Sequence, residues 1–304
     1  MPTEVQTPPD PSPNVQSTHP NSSADPNLAL TLALTLGCDR TQKTVVLQQY
    51  ATYPLRLSRS LSLDLTDNRR TYLYTMNSSP GLLAGDHLNV EIHLKPNAQL
   101  YLTDQAATKV HRMPQPQTSA SLTTHLTVEA GATLEYVPEP LILFNEAEFH
   151  QTTQVTLHPT AQLFLSDIFL PGRLARKEYY GFRQYNSRLQ VRSPEGQLLV
   201  EDAVNIPGQE NSLKDSSFVA PFPAIATAIL YAPDLDLDAL TTWIDEYPSQ
   251  SGAMQAGYST LPYGNGLVVR AIADGVWPLK AYLHHVLAGM RQATGQAALP
   301  TIPK

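Results

Sequence analysis

The sequence predicts a mainly β protein, a β-helical or solenoid-like stack of strands with two α-helices near the C-terminus. Three observations support this. A layout of apolar–polar alternation, turn and renewed alternation recurs four times between about residues 85 and 205. Charged residues make up only 15% of the chain while prolines number 26, a balance that favours short strands and turns over long charged helix faces. Helical spacing of apolar residues is confined to about residues 234–293.

Taken in order, residues 1–27 hold Pro2, Pro8, Pro9, Pro11, Pro13, Pro20 and Pro26 among polar residues, with no hydrophobic period. Such a stretch buries too little apolar surface to offset its ordering entropy and reads as a disordered tail. Residues 28–304 read as one domain. Alternation starts near Leu28 and returns at Thr44-Val45-Val46-Leu47 and Tyr72-Leu73-Tyr74. The repeats follow. Ile92-His93-Leu94-Lys95-Pro96-Asn97-Ala98-Gln99-Leu100-Tyr101-Leu102-Thr103-Asp104 matches the segment from Val155 to Asp167 almost position for position. Between them lies the segment from Leu126 to Tyr136, followed by Val137-Pro138, and a looser fourth copy runs from Leu189 to Asp202 around Ser193-Pro194-Glu195-Gly196. Each copy is a half-buried strand, a tight turn and another strand. A period of about thirty residues implies stacked units that bury a core only together.

Residues 206–222 are turn-rich and form a long connection, and Ala224 to Tyr231 is a further strand. Leu237, Leu240, Ile244 and Tyr247 recur at helical spacing after Asp234 and Asp236, whose charge favours a helix start. Leu267 to Ile272 reads as a strand. Leu279, Tyr282, Leu283, Val286, Leu287 and Met290 form the apolar stripe of a second helix, with Pro278 in its first turn. One stripe per helix implies that both pack on one side of the β-body.

The bulk numbers exclude several classes. A formal net charge of -7 argues against a nucleic-acid partner. The lone Cys38 excludes an internal disulfide and fits a reducing compartment. No apolar run is long enough to span a membrane, and Leu28 to Leu36 lacks a basic region before it, so the cytoplasm is the expected location.

Candidate chemistry is sparse. The nine histidines form no HxxxH pair, and one cysteine cannot build a Cys-rich zinc site, so a closed high-affinity metal site is disfavoured. There is no GxSxG elbow, no Walker A loop and no GxGxxG after a strand, so no residue is assigned a catalytic role. Asp104, Asp167 and Asp202 end three of the repeats, and equivalent positions would align their carboxylates in a row for a cation or a sugar. Because Asp is a turn former first, the favoured reading is that they cap turns. Three loops are more specific: Ser78-Ser79-Pro80-Gly81-Leu82-Leu83-Ala84-Gly85-Asp86, the run from Thr103 to Val110, and the stretch from Asp167 to Glu178, where Gly172-Arg173 and Glu178 invite an ion pair.

In this order, these loops, with Pro138-Glu139-Pro140-Leu141-Ile142-Leu143-Phe144 and Tyr185-Asn186-Ser187-Arg188, resemble the UreD (UreH) family of urease accessory proteins over roughly residues 30–290. The chain departs from the family pattern at Asp104, where a small hydroxyl residue is common. The resemblance implies a β-helical scaffold, not an enzyme, that binds apo-urease and works with UreF and the GTPase UreG to insert nickel. Nickel would pass through in transit, with no tightly bound cofactor. Asp86, Thr103, Asp104 and Glu178 are the candidate oxygen ligands of the route, with Asp86 foremost; the alternative for Asp86 is that it caps its own loop through backbone amides. Gly81, Gly85, Gly172 and Arg173 are expected to hold the loops, and Leu283 and Leu287 to serve partner binding. Two alternatives stand beside this: a carbohydrate-active β-solenoid enzyme and a purely structural β-repeat protein.

Overall fold

The computed structural model describes residues 29–64, 66–248, 252–262 and 265–303. The expected tail, residues 1–27, lies outside them. The chain enters through β1 (Leu32–Cys38), β2 (Thr44–Ala51), β3 (Leu55–Leu57) and β4 (Thr71–Asn77). The repeat region supplies β5 (His87–Leu94), β6 (Gln99–Asp104), β7 (Thr108–Val110), β8 (Ala120–Val128), β9 (Thr133–Val137) and β10 (Leu141–Leu143). It continues with β11 (Glu148–Leu157), β12 (Gln162–Leu170), β13 (Gln184–Arg192) and β14 (Leu198–Pro207). Last come β15 (Ala224–Tyr231), α1 (Leu237–Asp245), β16 (Met254–Thr260), β17 (Gly266–Ala273) and α2 (Val276–Ala293). The protein is mainly β, with its two helices near the C-terminus.

The strands form two sheets. The first has the order β14-β13-β11-β8-β5-β1-β2, and the second β16-β17-β15-β12-β9-β6-β4-β3. The reason lies in the repeats. In each of the first three copies, the turn after the leading strand carries the chain from the first sheet to the second, as in β5 to β6, β8 to β9 and β11 to β12. Each new strand then pairs in parallel with its counterpart one repeat earlier. The fourth copy differs. Its turn at Ser193–Gly196 folds β14 back onto β13 as an antiparallel neighbour in the same sheet. Asp202 therefore belongs to the opposite sheet from Asp104 and Asp167, so the alternative of a single row of three carboxylates becomes two in one sheet and one facing them.

Period-two alternation sorts the second sheet's residues between two cores. Leu100, Leu102, Leu134, Leu163 and Leu165 pack between the sheets, while Tyr101, Phe164, Ile168 and Leu170 face the helices. The outer layer is α1 and α2, joined through Trp243, whose Nε1 donates to the His285 carbonyl at 3.0 Å. Asp236 caps α1 by accepting from the Ala239 amide at 2.9 Å. Leu283 and Leu287 are 4% and 2% exposed within this outer core. Their stripe is consumed by packing on the second sheet, so neither offers a surface to a partner.

A buried charge network fastens that layer. The Glu135 carboxylate, on the helix-facing side of β9, accepts from Arg291 Nε at 2.7 Å and Nη2 at 2.6 Å, and also from Arg70 Nη1. Arg291 reaches Asp64 at 3.3 Å, and the Tyr72 hydroxyl donates to Asp64 at 2.5 Å. Burial opposes the Glu135 charge, yet the two guanidinium groups hold its carboxyl below the usual range. Removing one member leaves a buried charge unpaired, so Glu135→Gln should lower unfolding stability by about 3–5 kcal/mol. Urea denaturation measures this; a loss under about 1 kcal/mol would show that the network is not what holds the helical layer.

Candidate functional site

Parallel, in-register pairing has a chemical consequence between the sheets. In the second sheet Leu102 pairs with Tyr136, and Tyr136 with Leu165, so these three form one row on the inter-sheet face. Two residues further along each strand, Asp104, Pro138 and Asp167 continue the same alignment. The row extends sideways, because Thr75 pairs with Asp104, Asp167 with Thr227, and Thr227 with Arg270. Across from it, the first sheet aligns Thr124, Thr153, Leu189 and Asp202 in one row, and Gln151, Ser187 and Val204 in the next.

These polar rows line a cavity of about 160 Å³ between the sheets, whose other walls are apolar residues such as Leu88, Ile92, Phe149 and Ile229. That volume exceeds by roughly tenfold what a single water needs. The interior is acidic. Asp104 accepts from the Thr75 hydroxyl and from the Glu139 amide at 3.1 Å. Asp202 is paired with Arg270 Nη2 at 2.6 Å. Burial, then the charge of Asp202, pushes the Asp167 carboxyl up to about 6. Burial and the charges of Asp104 and Asp167 likewise push up the Tyr136 hydroxyl. Glu139, also on the lining, takes Lys280 Nζ of α2 at 2.8 Å.

Asp104 and Asp167 sit two strands apart, roughly 10 Å at the usual inter-strand spacing. Among the described residues no group of three His, Cys, Asp or Glu side chains converges as a metal cage. The cavity thus presents spaced carboxylates, hydroxyls and the two amide side chains of Asn77 and Gln151. Oxygen donors spaced in this way suit weak, single-ligand contacts with a cation and not a closed cage.

The residues singled out from the sequence divide between this cavity and elsewhere. Asp104 lines it, and its alignment with Asp167 corrects the turn-cap reading of both. Thr103 alternates with Leu102 and Asp104 and so occupies the opposite face of the sheet, buried. Asp86 lies outside the lining; its Oδ2 accepts from the Leu83 amide at 2.7 Å and closes its own loop after Gly85, whose φ is +85°. Glu178 also lies outside, held below the usual carboxylate range by the hydrogen bond from Arg173, whose Nε donates at 2.6 Å. The three sequence loops do meet, but at a turn stack. Leu82 bridges to Val110 in parallel, β7 pairs with β10, and the Arg173 guanidinium lies 4.5 Å from the Phe144 ring centroid. A side chain at Gly81 would meet the Lys109 carbonyl at 2.6 Å, and one at Gly172 would collide with the Glu178 carbonyl, which is why both are glycine.

Sequence reasoning missed Tyr136, Glu139 and Arg270 as lining residues. One signal was present for Arg270, the sole charge within the apolar strand from Leu267 to Ile272.

Asp167 yields a pH prediction. Its folded carboxyl titrates near 6 against 3.8 in an unfolded chain, so the charged form costs stability above about pH 6, and the cost is gone below about pH 4. Asp167→Asn should be more stable than the wild type by about 3 kcal/mol at pH 8. Urea midpoints taken from pH 8 to pH 4 should show the gap closing between pH 6 and pH 4; a gap independent of pH would contradict the assignment.

Comparison with known proteins gives a consistent result. The family described as UreD urease accessory protein matches residues 30–304. A protein of Trichodesmium erythraeum named urease accessory protein UreD is 42% identical over 274 residues, covering 90% of this chain and 98% of the relative. A namesake in Haloarcula marismortui is 34% identical over 242 residues, 79% of each chain. A Streptomyces griseus protein named urease accessory protein UreD 2 is 30% identical over 257 residues, 84% of each.

Proposed function

The chain belongs to the UreD family of urease accessory proteins, and from that premise we propose that it is a maturation scaffold that binds apo-urease and, with UreF and the GTPase UreG, passes nickel toward the urease active site through the cavity between its sheets. The family is one of accessory factors and not of enzymes, so the carbohydrate-active reading falls away. Nickel is cargo here, never a resident cofactor.

The observation that supports transit is the polar lining itself. A borderline divalent ion moves readily among weak oxygen ligands spaced along a path, whereas a convergent cage of thiolates or imidazoles would hold it. Asp104, Asp167 and Asp202 supply charge in an otherwise apolar interior, and Thr124, Thr153, Gln151 and Ser187 supply neutral oxygens between them. The body that encloses this path is read as a β-helical coil, because successive strands alternate between two sheets and stack in parallel. Among the described residues no helix is long and apolar enough to cross a membrane; the cytoplasm is the proposed place of action.

For partner contact, Trp277 replaces the buried Leu283 and Leu287. It is 80% exposed in the first turn of α2. Its ring centroid lies 5.6 Å from Lys280 Nζ, and Lys280 in turn pairs with Glu139 on the cavity lining. A partner seated on Trp277 would therefore stand beside the cavity.

The test of transit is the double variant Asp104→Asn, Asp167→Asn in the assembled accessory complex with apo-urease. Complex assembly should be retained on size-exclusion chromatography, while nickel in the purified urease, measured by mass spectrometry, should fall at least severalfold. Wild-type nickel content in a fully assembled complex would sink the transit reading. Separately, Trp277→Ala should keep the wild-type melting temperature and weaken co-purification with the partners. Undiminished co-purification would remove Trp277 from the interface.

A further inference from the structure

At one edge of the cavity no strand pairing joins the two sheets. The first sheet ends on β14, and the second continues past β15 to β17 and β16. An ion pair bridges the sheets here: Arg270 of β17, in row with Thr227 and Asp167, reaches across to Asp202 of β14 at 2.6 Å. Both residues line the cavity, yet the Arg270 side chain is 55% exposed and Asp202 only 20%. The guanidinium therefore sits at a mouth, with solvent on one side and the acidic interior on the other.

We propose that Arg270 is the gate of this mouth, a movable cation that closes the gap between the sheets and governs entry of cations to Asp202 and Asp167. Three features support the role. A half-exposed arginine can swing outward without disturbing the core, since its stem packs along surface and its head lies in water. Exposed ion pairs are weak and exchange readily, so the contact can open. When it is closed, the positive head neutralises Asp202 and repels an incoming divalent cation. When it is open, Asp202 and Asp167 face the entrance as two carboxylates from opposite sheets. Glu139, another charged lining residue, is paired with Lys280 of α2 and so is tied to other elements.

The inference extends the transit reading but rests on the cavity alone, and its test is independent of nickel. Ser187 lines the cavity on β13, beside Val204 and two residues along β14 from Asp202. In the full chain carrying Cys38→Ser and Ser187→Cys, the rate of thiol labelling by methanethiosulfonates reports access to the interior. With Arg270→Ala, labelling by the cationic trimethylammonium-ethyl reagent should accelerate roughly tenfold, a size typical of removing a like charge from a narrow entrance. Labelling by neutral methyl methanethiosulfonate should rise less. Asp202→Asn keeps the arginine but breaks the pair, and should speed the neutral reagent, which is blocked only sterically. Folding of each variant is checked by its melting temperature. Equal rates with and without Arg270, or a thiol that stays unreactive after its removal, would overturn the gate. If the labelling rates respond to Arg270→Ala while nickel delivery is unchanged in the Asp104→Asn, Asp167→Asn complex, the gate stands and the transit reading fails.

Discussion

Parallel register is the constraint from which the interior chemistry follows. When β6, β9 and β12 stack without offset, a residue type repeated at the same place in each copy becomes a row on one face of the sheet. Most such rows are leucine and build the core: Leu100, Leu134 and Leu163 are fully buried neighbours of this kind. The same geometry places Asp104 and Asp167 on that face with Pro138 between them. A carboxylate inside a β-body is costly unless it is hydrated or partnered. The three carboxylates meet this cost differently. Asp104 takes hydrogen bonds from Thr75 and the Glu139 amide, and Asp202 takes Arg270. Asp167 has the cavity and the nearby negative charge of Asp202, and its raised titration is the consequence.

The outer layer meets the burial problem in another way. Glu135 and Tyr136 are adjacent on β9 and point to opposite faces. Tyr136 joins the acidic cavity, while Glu135 is neutralised completely by Arg70 and Arg291. Paired Arg70, Arg291, Glu135 and Asp64 balance two positive charges against two negative ones in a dry interface. This separates two tasks that one strand performs at once. The helix-facing side is locked by dense, directional charge pairs, and the inter-sheet side keeps its carboxylates spaced. A cation held among four tight partners would not move; one passing between single oxygens would.

What the sequence made legible follows from locality. The repeats announced the strands, their turns and the mainly β class, since alternation and turn chemistry act over a few residues. The helical stripes were equally local, and Leu283 and Leu287 landed in the core for the reason such stripes usually do. The row formed by Asp104 and Asp167 was visible as a matched position in two copies, but its burial was not, because a terminal Asp looks the same whether it closes a turn or enters a cavity. The fourth copy misled for a related reason: its turn resembles the others, yet a Ser193–Gly196 hairpin reverses the chain within one sheet. Asp86 drew attention because its loop is distinctive, and the distinctiveness belongs to the turn stack it closes. The network of Arg70, Glu135 and Arg291 joins residues 65 and 156 positions apart, a separation no local pattern encodes.

The two ends of the cavity differ in a way that bears on direction. At the Asp104 end, the lining carboxylate Glu139 is tied to Lys280 on α2, inside the helical layer and near the exposed Trp277. At the Asp202 end, Arg270 lies half-exposed on a strand next to the sheet edge, its guanidinium paired with Asp202. A charge fixed by a packed helix changes little when a partner docks, while an exposed guanidinium responds to any acidic surface brought against it. On the proposed transit reading, one side of the cavity would be set by the packed helical layer and the other would respond to what binds against the Arg270–Asp202 pair.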